Sequence, residues 1–144
     1  MNRINVENAH PEYNVQKRAI RKTVQNLLKK EKQKKSVDII LIDDKYMIEL
    51  NKRFTKKTRT TDVLAFGLQE GKSLSMEDDN LGDVYISIDQ AQRQAQDYQI
   101  EALEEINRLA IHGVLHLLGY DHKTKAQTRL MKEKEERYLK EYKG

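Results

Sequence analysis

Residues 102 to 118 limit the possible folds of this chain more than any other stretch. Apolar side chains stand at 103, 106, 109, 110, 114, 117 and 118, which is helical spacing with a broad buried face. The apolar positions run nearly all round, so this helix is expected at the centre of the protein. The same stretch leads into His112-Gly-Val-Leu-His116-Leu-Leu-Gly119-Tyr-Asp121-His122, which contains three of the chain's four histidines. On a helix, His112 and His116 stand one turn apart on the same side, so both imidazoles can reach one point. Gly119 is the natural left-handed stop. The chain can then fold back and bring His122 to that point.

Three neutral imidazoles on one point match the ligand set of a catalytic zinc site, in which the fourth position stays open. The chain has no cysteine, which leaves no thiolate metal site and no disulfide framework. His10 stands apart from the cluster and is expected to take no part in it. The spacing is close to the extended zinc-peptidase pattern H-E-x-x-H-x-x-G-x-x-H, but Gly113 occupies the place of the glutamate base. A glycine inside a helix costs about 1 kcal/mol relative to alanine, so Gly113 is expected to serve a close approach by a neighbouring backbone or by substrate.

Residues 112 to 122 fit, at every fixed position, the signature H-G-x-L-H-L-x-G-Y-D-H. Two further blocks agree in order: Leu50-Asn51 with Thr61-Asp62-Val63-Leu64-Ala65-Phe66, and Leu81-Gly82-Asp83-Val84 through Ser87. On these blocks the chain resembles the YbeY endoribonucleases, a family of bacterial rRNA maturation factors. The resemblance implies one zinc ion per chain, held by His112, His116 and His122. It also implies cleavage of single-stranded RNA in the maturation and quality control of the small ribosomal subunit, with ribosomal RNA and that subunit as partners. A small α/β (mixed α+β) domain over residues 1–144 is expected, with a mixed four-stranded sheet, about five helices and the zinc-bearing helix in the middle.

One block departs from the family. In the pattern L-N-x-x-Y-R-G-K-D-K-P-T-D-V-L-S-F an arginine follows the aromatic residue, where this chain has Thr55. Lys56, Thr58, Thr60 and Ala65 differ as well, Lys57 is kept, and Arg59 replaces a lysine. The family arginine fits a phosphate-contacting role, and Lys57 and Arg59 are the expected replacements, although lysine lacks arginine's bidentate fork.

At 144 residues the chain is expected to form one domain with a real core. No apolar run is long enough to cross a membrane, and the N-terminus lacks the apolar segment of a signal peptide. A cytoplasmic protein is therefore expected, and no dinucleotide-binding motif appears. Residues 17 to 35 carry nine basic side chains against the single acid Glu31, in a protein of net charge +4. Such a face suits a polyphosphate partner, although a charge run is also the usual form of a solvated helix face.

Local patterns predict strands at Ile4–Glu7, Val37–Ile42, Thr61–Phe66 and Leu81–Ile86. Helices are predicted over 14–30, from Asp43 or Asp44 to Phe54, over 88–98, and from Thr124 through Tyr142. Tyr46, Met47, Leu50 and Phe54 are expected on one buried face; Ala91, Ala95 and Tyr98 should share another, and Leu130, Met131, Tyr138 and Tyr142 should pack. Ser87 with Gln90, and Thr124 with Gln127, read as capping boxes. Residues 69–80 read as a polar loop. Asp121 admits two roles, orienting a histidine or shaping the turn after Gly119.

Zinc lowers the pKa of water on it towards about 7, which removes the need for a glutamate base in RNA cleavage. Two other readings use the same residues. In one, structural zinc supports a non-catalytic rRNA-binding assembly factor, as the change at Thr55 would favour; the other is a zinc peptidase, against which Gly113 counts.

Overall fold

The computed structural model describes residues 3–55, 61–67 and 80–144. Within them the order is β1 (Ile4–Asn8), α1 (Lys17–Lys30), β2 (Ser36–Ile42), α2 (Asp44–Phe54), β3 (Val63–Gly67), β4 (Asn80–Ser87), α3 (Ile88–Tyr98), α4 (Ala102–Leu117) and α5 (Lys125–Lys143). The strands form one mixed sheet in the order β1-β2-β4-β3. The β1–β2 and β2–β4 pairs are parallel, whereas β3 runs antiparallel to β4. Parallel neighbours need a crossover, and α1 supplies the one between β1 and β2.

The sheet has two unequal faces. Val37, Ile39 and Leu41 of β2, with Val84 and Ile86 of β4, belong to the main core, together with α1 and α4. The alternate residues Ile40, Ile42, Leu64 and Tyr85 face a smaller cluster built on Met47 and Leu50 of α2. With apolar residues required on both faces, β2 reads as a nearly continuous apolar run, as an internal strand should.

Helix α4 is the centre that its sequence predicted. Nine of its sixteen residues are buried, and it packs against α1, α3, α5, β3 and β4. Thr124 and Gln127 form a reciprocal capping box at the start of α5. Ser87 accepts the Gln90 N–H at 3.2 Å, but the Gln90 side chain turns instead to Gln94 and Arg93, so that box is half formed.

Three local expectations need correction. Helix α1 begins at Lys17 rather than 14, because Val15 meets the core from the preceding connector. Tyr46 and Phe54 are 49% and 59% exposed rather than buried. They lie along the rim of the thinly covered sheet face, Tyr46 stacked on Tyr85 at 6.3 Å and Phe54 tilted on Phe66 at 5.0 Å. Tyr98 and Leu130 are likewise exposed, whereas Ala91, Ala95, Met131 and Tyr138 are buried as expected. The predicted loop over 69–80 lies outside the described residues, except for Asn80, which opens β4.

Candidate functional site

His112 and His116 lie in the last two turns of α4, and His122 follows on the turn beyond it. The helix ends as its sequence predicted: Gly119 takes φ +102° and donates its N–H to the His116 carbonyl at 3.0 Å, while Tyr120 N–H reaches Leu115 at 3.1 Å. These two bonds make a Schellman turn. A glycine suits this conformation because a Cβ would be strained there. The chain reverses and brings the His122 ring centroid to 6.5 Å from that of His112, with the planes tilted by 36°.

His112 has a carboxylate partner that its own segment does not supply. Its Nδ1 meets Glu135 Oε1 of α5 in a short hydrogen bond. A carboxylate accepts, so Nδ1 is the donor in this bond, and in the neutral tautomer that makes it, Nε2 keeps its lone pair. This is the arrangement by which metal-ligating histidines are commonly oriented. The negative end of the α4 dipole lies here too, which favours a cation.

In donor type the site fits zinc: three imidazoles, one with its coordinating nitrogen freed by a carboxylate. The spacing is open. Two imidazoles bound tetrahedrally at about 2.0–2.1 Å would put their centroids roughly 5 Å apart, less than the separation seen here. Among the described residues, no three His, Asp or Glu side chains stand close enough together to hold an ion.

Asp121 has the turn role of the two considered for it. Its Oδ1 accepts the backbone N–H of His122 at 2.7 Å, while the His122 ring nitrogen is 3.8 Å away. That backbone bond, with Lys123, His122 and His116 nearby, holds its carboxyl below the usual aspartate range. The histidine-orienting carboxylate is Glu135, which the sequence reading missed. A signal for it existed, since Glu135 follows buried Met131 by four residues and precedes buried Tyr138 by three, placing an acid in the inward-facing row of α5.

Gly113 does serve a close approach, but of a side chain of the sheet rather than of backbone or substrate. A Cβ there would lie 2.5 Å from Val84 Cγ1 and 3.4 Å from Val63 Cγ2. Val84 is β-branched and stiff at χ1, so it cannot swing aside. This buried position could not present a glutamate base, which removes the support for the peptidase reading. Gly113→Ala is expected to cost about 1–3 kcal/mol through overpacking, offset in part by the better helix propensity of alanine, about 1 kcal/mol. Urea unfolding measures the net loss. Adding Val84→Ala should cost less than the sum of the two single changes.

One turn before His112, Arg108 forks onto Glu105, with Nε at 2.8 Å from Oε1 and Nη2 at 2.6 Å from Oε2. Glu105 is fully buried, and Gln94 Nε2 donates to the same Oε2 at 2.6 Å. The hydrogen bonds to Glu105, against the opposing effect of burial and with Glu135 and Asp62 nearby, raise the Arg108 pKa further. The third acid of the region, Glu31, gathers Tyr120, Lys134 and Tyr138. Burial works to raise its pKa, but the hydrogen bonds from those three side chains outweigh it and hold the carboxyl below the ordinary glutamate value.

Lys57 and Arg59, the expected phosphate-contacting residues, lie outside the described residues. Thr55, where the family has arginine, turns its hydroxyl back onto Asn51 at the end of α2, 2.9 Å from the backbone oxygen and 3.0 Å from the side-chain oxygen. His10 is apart from the cluster as expected, yet it is not an idle surface residue. Its Nδ1 accepts the backbone N–H groups of Glu12 and Tyr13, both at 3.1 Å, and Nε2 lies 2.8 Å from Asp89.

Fold and site together define an α/β protein whose buried central helix presents two histidines at its C-terminal end, with a third returned by a glycine turn. The family model described as Endoribonuclease YbeY matches residues 5–143. The chain is 45% identical over 103 residues to the Endoribonuclease YbeY of Carboxydothermus hydrogenoformans, covering 72% of this chain and 69% of that one. To that of Acholeplasma laidlawii it is 41% identical over 128 residues, or 89% and 88% of the two chains. The solution structure of TM1509 from Thermotoga maritima superposes with a TM-score of 0.70 at 26% identity, covering 97% of this chain and 89% of that one. The chain belongs to the YbeY endoribonuclease family.

Proposed function

We propose that the chain is a metal-dependent endoribonuclease that cuts single-stranded RNA, acting on ribosomal RNA of the small subunit in the cytoplasm. In this reading residues 1–144 act as one catalytic domain. The observation that carries it is the pairing of His112, inside the family motif, with Glu135 of α5, because a carboxylate on Nδ1 orients the imidazole so that Nε2 can serve as a ligand. His112, His116 and His122 would hold one zinc ion. A zinc ion there supplies Lewis acidity at neutral pH, so no glutamate base is required from position 113. Lys57 and Arg59 would offset the charge that gathers on the phosphate as the chain is cut. The basic run from Lys17 to Lys35 would draw RNA by long-range attraction. Among the described residues, no helix is long and apolar enough to cross a membrane.

A second reading, a zinc-stabilised rRNA-binding assembly factor without catalysis, is favoured by Thr55, which offers no cation where the family has arginine. One experiment separates the two. Metal-replete protein is incubated with single-stranded RNA and with a generic peptide, with and without chelator. Chelator-sensitive RNA cleavage supports the nuclease, whereas RNA binding without cleavage supports the assembly factor. Elemental analysis should find about one zinc per chain, as one three-ligand site requires, and His116→Ala should lose it. Full occupancy in His116→Ala would place the metal elsewhere.

A further inference from the structure

We infer that Glu31 is a positioning residue for His122: its carboxylate anchors Tyr120 and thereby the turn that carries the third histidine. The inference rests on the three-histidine reading above. Glu31 is the one acid in the basic run 17–35, where charge balance among its own lysines would be the ordinary expectation. Its partners lie elsewhere in the chain. Tyr120 Oη donates to Oε1 at 2.5 Å, Lys134 Nζ to Oε2 at 2.9 Å, and the Tyr138 hydroxyl also donates to Oε2. The Glu31 side chain is only 9% exposed, and Tyr138 is fully buried.

Two helix ends are set against each other to make this contact. Helix α1 closes as α4 does, with Lys32 N–H on Lys29 at 3.1 Å and Gln33 N–H on Leu28 at 2.9 Å, and Lys32 accepts the left-handed φ of +56°. Glu31 caps that end. Tyr120 stands three residues beyond the last residue of α4 on the corresponding turn, so the carboxylate–phenol bond ties one helix terminus to the other across 89 positions.

His122 needs such an anchor. Its side chain is 63% exposed, so packing does not fix the imidazole, and its place follows from the backbone that carries it. On its C-terminal side the His122 carbonyl accepts from Thr128 Oγ1 at 3.2 Å. On its N-terminal side the anchor is Tyr120, held by Glu31. That bond is the side-chain tie on a turn whose backbone is also held by Tyr120 N–H on Leu115 at 3.1 Å, so its loss is expected to loosen the turn rather than unfold either helix.

The test titrates zinc alone, against a competing chelator, into the metal-free full chain and its Tyr120→Phe, Glu31→Gln and Tyr138→Phe variants. All are measured at a temperature where circular dichroism shows each one folded. Tyr120→Phe and Glu31→Gln should bind zinc about tenfold more weakly, the lower end of what partners of metal ligands contribute. Tyr138→Phe should lower the melting temperature with zinc affinity kept within about twofold, because Lys134 and Tyr120 still hold the carboxylate. Amide exchange over residues 119–123 of the metal-free protein should quicken in Tyr120→Phe and not in Tyr138→Phe. Wild-type zinc affinity in Tyr120→Phe, with exchange unchanged, would reduce Glu31 to a purely structural group. A wild-type chain that bound no zinc would overturn the three-histidine reading, and this inference with it.

Discussion

Arg108→Ala is expected to be the most destabilising single change considered for this protein, by about 3–5 kcal/mol, because it strands a buried carboxylate. Glu105 is fully buried, and the two bonds of the Arg108 fork are its charged contacts, with Gln94 as the remaining neutral donor. Desolvating a carboxylate is tolerable only while a cation and good hydrogen-bond geometry compensate for it. The loss should appear as a lower urea midpoint with an unchanged slope. Replacing the pair together, Glu105→Leu with Arg108→Met, should cost far less, since it removes the charge along with its partner. If Arg108→Ala alone lowers stability by less than about 1 kcal/mol, the value of an exposed pair, the fork is not what keeps Glu105 in the core.

The largest expected effect on activity lies in the basic segment after α2. If Lys57 and Arg59 have taken over from the arginine replaced by Thr55, Lys57→Ala or Arg59→Ala should slow RNA cleavage about 100- to 1000-fold with zinc still bound. That corresponds to roughly 2.7–4 kcal/mol, the usual loss when one donor to a developing oxyanion is removed. The Thr55 hydroxyl is engaged with Asn51 at the helix end, so Thr55 supplies neither charge nor a fork. Thr55→Arg is the informative companion. Faster cleavage in Thr55→Arg, with Lys57→Ala and Arg59→Ala both silent, would mean that this chain works without a full phosphate contact. If no variant cleaves RNA, Thr55→Arg included, the assembly-factor reading replaces the nuclease. Zinc content has to be measured in each variant, because metal loss would imitate every one of these outcomes.

Much of the candidate site was legible because its rules are local. The i, i+4 spacing puts His112 and His116 on one side of a helix whatever surrounds it. Gly119 stops that helix through its own backbone freedom, and the apolar positions of 102–118 call for the central burial that α4 has. The cap at Thr124 and the alternation along the strands were readable for the same reason, while the choice between Asp43 and Asp44 as the cap of α2 fell to Asp43 in the structure. Tertiary structure alone decided which acids these groups meet. Glu135 reaches His112 across 23 positions and Glu31 reaches Tyr120 across 89, pairings set by how α5 and α1 pack on α4. It also decided that Gly113 faces Val84 and that Tyr46 and Phe54 lie on an open rim. Periodicity marks the apolar side of a helix, but only the neighbouring element determines whether anything covers it. Packing thus made Glu135 the group that orients a histidine, Glu31 the anchor of a turn and Glu105 the partner of an arginine in the core.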